Sequence, residues 1–154
     1  MKVSLLFPPT WHPSQPYLSL PSLTGFLAQA GVTNVSQRDL GIELLDEVVT
    51  KSYGMGLYQD LLDKKQALER QRTGETGPGS AEHLARVIES LDRFPYLIDR
   101  IELAKETLRG EGFYDMEAYR ESLFLIDKWQ EVLSTVYFPS RLTWVDNQFS
   151  TYSI

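Results

Sequence analysis

Cysteine is absent from this chain, so no thiolate side chain is available to it. That absence excludes a disulfide framework, a cysteine nucleophile, a thiolate zinc site and an iron–sulfur cluster held by the chain's own residues. Long apolar runs are missing too. None approaches the ~20 residues of a membrane span, and Pro8 halts the short apolar opening before it could form a signal peptide. We therefore expect a cytoplasmic protein with no membrane partner.

Positively charged residues are fewer than negatively charged ones. The chain has 15 Lys and Arg residues against 21 Asp and Glu residues, for a formal net charge of -6. This excess of negative charge repels polyphosphates and anionic lipid surfaces, so nucleic acid is not an expected partner. The length of 154 residues and the hydrophobic content of 42% suffice for one domain with a buried core.

The first 41 residues have the pattern of a β–α–β unit. Residues 3–7 form an almost continuous apolar run, which is typical of a buried parallel strand, and two prolines end it. Apolar residues at Leu20, Leu23, Phe26, Leu27 and Ala30 then follow a helical stripe, and Gly31 can close that helix in a left-handed conformation. Residues 33–38 suit a second strand. We expect the two strands to pair in parallel around a helix near residues 20–30.

Helical periodicity dominates residues 43–137, with expected breaks at Gly54–Gly56, Gly74–Gly79 and Gly110–Gly112 and an end or kink at Pro95. Asp115 is placed to cap the last helix, on which apolar residues from Met116 to Tyr137 recur at helical spacing. A further strand near residues 142–145 is compatible with the sequence.

Together these patterns predict an α/β fold: a partial doubly wound parallel sheet, begun by the β–α–β unit and interrupted by a large helical insertion. The expected division is 1–41 for the start of the sheet, 42–138 for the insertion and 139–154 for the return to the sheet. Two or three strands make a marginal sheet on their own. We therefore expect a segment of a longer protein, able to form a homo-oligomer through its uncovered sheet.

The best candidate for a ligand-binding site lies where the two predicted strands end, because open α/β sheets bind ligands at the carboxyl ends of their strands. Its candidate residues are Pro8, Pro9, Thr10, Trp11, His12 and Asp39. The loop at 8–16 offers an indole, an imidazole and a fixed backbone that could cover a large flat ring. In the alternative interpretation, the prolines only end the strand and Trp11 packs on the helices. Asp39 could bind hydroxyl or amide groups of a ligand.

No catalytic residue and no metal site are predicted. His12 has no second ligand at metal spacing, and His83 is expected on a solvated helix edge. The carboxylates of Asp39, Glu43 and Asp46 are typical of a helix start rather than of an acid–base pair. A Gly-x-Ser-x-Gly elbow is absent from the sequence, which argues against a hydrolase.

Four segments resemble the start of cobalamin-binding radical SAM proteins. They are KVSLLFPPT at 2–10, PYLSLPSL at 16–23, LAQAG at 27–31 and QRDLGIE at 37–43. The closing PSRLTW at 139–144 is similar to the segment that re-enters the sheet after a helical insertion in some members. Two features depart from the family. Gly41 stands where the family usually has Asn, and no Asp-x-His-x-x-Gly motif for a cobalt-ligating histidine is present.

The resemblance implies a Rossmann-like cobalamin domain followed by a radical SAM barrel that this chain lacks. That downstream barrel would be the main partner and would hold S-adenosylmethionine and a [4Fe–4S] cluster through three cysteines. The chain would then be the N-terminal part of a methyltransferase or Fe–S oxidoreductase, contributing to cobalamin binding without catalysing a reaction alone. The alternative is an α/β protein-interaction or scaffolding module without a cofactor.

Overall fold

The computed structural model describes residues 2–7, 18–71, 78–142 and 147–149. Helices predominate in these ranges, and the chain divides into two compact units, Met1–Glu47 with Trp144–Asp146 and Val48–Thr143 with Asn147–Ile154. In chain order the elements are β1 (Val3–Phe7), α1 (Ser19–Gln29), β2 (Val35–Asp39), α2 (Leu40–Val48), α3 (Lys51–Gln71), α4 (Pro78–Arg109), a short 3-10 helix (Glu111–Tyr114), α5 (Met116–Val136), β3 (Ser140–Leu142) and β4 (Asn147–Phe149).

The first unit contains β1, α1 and β2, and α2 begins in it. β1 and β2 pair in parallel, with Val3 opposite Val35 and Phe7 opposite Asp39, as the β–α–β pattern predicts. α1 contacts both strands and closes at Gly31, which has the left-handed φ of 80° that glycine adopts without strain. The amide of Val32 then donates a hydrogen bond to the carbonyl oxygen of Leu27 at 2.9 Å. The prediction of a parallel unit is confirmed.

The second unit is built on α3, α4 and α5, which pack against one another. Their buried apolar side chains include Leu57, Leu61, Val87, Phe94, Leu97, Ile101, Leu125, Ile126, Trp129 and Val132. Phe94 lies between two other aromatic rings, with ring centroids 5.2 Å from Tyr58 and 5.7 Å from Trp129. Apolar contacts among these three helices, rather than contacts between helices and a sheet, therefore stabilise this unit.

The predicted α/β class, a partial doubly wound sheet with a helical insertion, is wrong. The structure is largely helical, and its parallel sheet has two strands within the described residues. The physical reason is that residues 48–142 contain enough apolar side chains at helical spacing to bury a core of their own. β3 pairs antiparallel with β4 and, in the ranges described, with neither β1 nor β2.

The helix break expected at Gly54–Gly56 does not occur, and the helix does not end at Pro95. α4 runs through Pro95, because the burial of Phe94 and Leu97 beside it, about 1.5–3 kcal/mol each, offsets the ~3 kcal/mol cost of an interior proline. α3 runs through Gly54 and Gly56. Position 54 lies against Ile98 and the indole of Trp129, so its lack of a side chain serves packing.

The C-terminal helix of the second unit begins where the sequence predicts it. The carboxylate of Asp115 accepts hydrogen bonds from the amides of Glu117 at 2.9 Å and Ala118 at 3.1 Å, which confirms it as the N-cap. The buried face differs from the predicted one, however. Met116 is 70% exposed, while Trp129 is fully buried.

The described helices were compared with what a membrane-spanning helix requires. In residues 2–7, 18–71, 78–142 and 147–149, no helix has both the length and the apolar character that crossing a bilayer requires.

Candidate functional site

The carboxyl ends of β1 and β2 meet at one edge of the parallel sheet, because Phe7 and Asp39 are partners in the strand register. In an open α/β sheet this edge is the ordinary location of a ligand. Of the residues predicted for the site, Pro8, Pro9, Thr10, Trp11 and His12 lie outside the described residues. Asp39 is described and lies at this edge.

Asp39 joins β2 directly to α2. Its Oδ1 accepts hydrogen bonds from the backbone amides of Gly41 at 2.9 Å and Ile42 at 3.1 Å. The side chain thereby satisfies two amide groups that a helix start leaves without a partner. Both of these bonds use the same carboxylate oxygen, and the residue is half-buried. Asp39 thus has a structural role as a helix cap, and this cap fixes its carboxylate at the strand end.

Arg38 and Glu43 form a two-bonded ion pair next to Asp39. Nε of Arg38 is 2.9 Å from Oε1 of Glu43, and Nη2 is 2.5 Å from Oε2. These hydrogen bonds lower the pKa of the Glu43 carboxyl and raise the pKa of Arg38. The sequence indicates a helix start at Glu43 but not its partner Arg38, since a spacing of five residues across a strand–helix junction follows neither strand nor helix periodicity.

The described part of this edge presents the Asp39 carboxylate and the Arg38–Glu43 ion pair, and it contains no metal site. Over the described ranges, no three His, Asp or Glu side chains are grouped so that they could hold a metal ion. For cobalamin, the fit is limited to hydrogen bonding, since a carboxylate accepts bonds from hydroxyl and amide donors. Asp39 is a suitable group of this kind, held at the strand end by its own cap.

His83 is half-buried rather than solvated. Its Nε2 lies 3.2 Å from the carbonyl oxygen of Thr135, and its ring is 4.3 Å from the ring of Phe138. Burial lowers its pKa more than the hydrogen bond to Thr135 raises it, and the positive charges of Lys64 and Arg86 lower it further. These contacts link α4 to the end of α5, and among the described residues His83 belongs to no group of three side chains that could hold a metal ion.

No family model, curated protein or solved structure matches this chain.

Proposed function

We propose that this chain is the N-terminal part of a cobalamin-dependent radical SAM enzyme, in which it forms one wall of the cobalamin site and catalyses no reaction alone. The observation that carries the proposal is the register of the parallel sheet, which places Asp39 beside the end of β1. The segment from Pro8 to Pro16 follows that end directly in the sequence. The sequence resemblance of residues 1–45 supplies the identity of the ligand.

In this proposal, the chain's own residues bind and orient. Oδ1 of Asp39 holds the start of α2, which leaves Oδ2 for a hydroxyl or amide donor of the ligand. Pro8, Pro9, Thr10, Trp11 and His12 follow the end of β1 in the sequence, and we propose that their proline, indole and imidazole groups contact the same ligand. Cobalamin, when bound, supplies a transferable methyl group.

The proposed partner is a radical SAM barrel of the same polypeptide, and the proposed location is the cytoplasm. The barrel would supply the three cysteines of a [4Fe–4S] cluster, which this cysteine-free chain cannot provide. The barrel would also bind S-adenosylmethionine. The complete protein would then be a methyltransferase or an Fe–S oxidoreductase.

The test uses the gene's complete product, purified and analysed for cobalamin by absorbance and for cobalt by elemental analysis. We expect stoichiometric cobalamin and a Cys-x-x-x-Cys-x-x-Cys motif in the product. This chain alone is expected to show no tight one-to-one complex in an absorbance titration. A full site needs loops from more strand ends than the two in the described parallel sheet. A product with neither cobalamin nor the motif would refute the proposal.

A matched pair of variants separates cofactor binding from stability. Asp39 and Asp115 are both N-caps that accept two amide hydrogen bonds, and serine preserves capping at either position. In the complete product, Asp39→Ser should weaken cobalamin binding about tenfold through loss of a charged hydrogen-bond acceptor. Asp115→Ser should leave the affinity unchanged. Equal losses in the two variants would show that Asp39 acts through folding alone.

A protein-interaction or scaffolding module without a cofactor is the second candidate. The self-contained helical core of the second unit favours it, because three packed helices need no ligand to bury their apolar side chains. A complete product that retains no cobalamin but co-purifies stoichiometrically with a defined protein would support this function instead.

A further inference from the structure

We draw no further inference here: the strongest candidate, the uncharged and apolar outer face of α1 around Leu23 and Phe26, is an unpartnered helix face, and nothing in the described part of the structure shows what covers it.

Discussion

The indole N–H of Trp129 donates a hydrogen bond to the carbonyl oxygen of Val48 at 2.9 Å, joining α5 to the end of α2 across 81 residues of sequence. The ring is fully buried. A buried donor without a partner costs free energy, so this bond selects one orientation of the ring within the core. A methyl group at position 54 would overlap both this ring and the side chain of Ile98.

Trp129→Phe should lower the free energy of unfolding by about 2–3 kcal/mol. The substitution removes the donor to Val48 and leaves a cavity that the helices cannot fully close. Urea unfolding followed by circular dichroism measures the change. Phe124→Leu, at an exposed site on the same helix, should change stability by less than about 0.5 kcal/mol. A similar loss in both variants would contradict the central role of the indole.

Replacement of Gly54 and of Gly56 by alanine should change the stability of the protein in opposite directions. At position 54 a methyl group would overlap Ile98 and Trp129, so Gly54→Ala should destabilise the protein by about 1–3 kcal/mol. At position 56 a methyl group would meet nothing within 4 Å, so Gly56→Ala should stabilise α3 by about 0.5–1 kcal/mol. Thermal unfolding of the two variants gives the comparison. Stabilisation by both would mean that the indole does not lie against α3.

His83 should make stability depend on pH in the mildly acidic range. Burial lowers its pKa in the folded state, so the unfolded chain binds a proton at a higher pH than the folded one does. The stability that the neutral imidazole contributes to the folded state is therefore fully present above the ordinary histidine pKa of about 6.5. This stability is lost as the pH falls below that value. Lys64 and Arg86 act in the same direction as burial.

The measurement compares wild type with His83→Gln in urea at pH 7.5 and pH 5.5. Glutamine retains an N–H group for the carbonyl oxygen of Thr135 but does not titrate. We expect the urea midpoint of wild type to fall more between the two pH values than that of the variant. Identical falls would assign the pH dependence to other groups.

Thr24 has a buried hydroxyl that, among the described residues, has no hydrogen-bond partner. Thr24→Val removes this group at nearly constant shape and should raise the free energy of unfolding by about 1 kcal/mol. Thr135→Val is the control, because the Thr135 hydroxyl donates to the carbonyl oxygen of Glu131 at 2.9 Å and accepts from Ser90. That variant should lose stability. If both variants lose stability, the Thr24 hydroxyl has a partner in solution.

The local features of the first unit and the N-cap of α5 could be predicted from the sequence alone. Apolar continuity, proline placement and Gly31 were sufficient for β1, α1 and β2, because each element depends on residues close in sequence. Their parallel pairing followed from the right-handed crossover of a β–α–β unit. The Asp115 cap was equally predictable, since a cap needs only the next three residues. Of the candidate site, Asp39 could be placed at a strand end and a helix start, but the ion pair between Arg38 and Glu43 could not.

Tertiary structure decided the fold class and the buried faces. Pro95 and Gly54 favour helix breaks locally, yet both lie inside continuous helices because packing around Phe94 and Trp129 outweighs their propensity. The buried face of α5 is rotated from the predicted apolar stripe, since the partner for Trp129 is a carbonyl oxygen 81 residues away. The exposed face of α1 has the same origin: helical spacing marks which side chains are apolar, but the width of the surface opposite determines how many of them are buried.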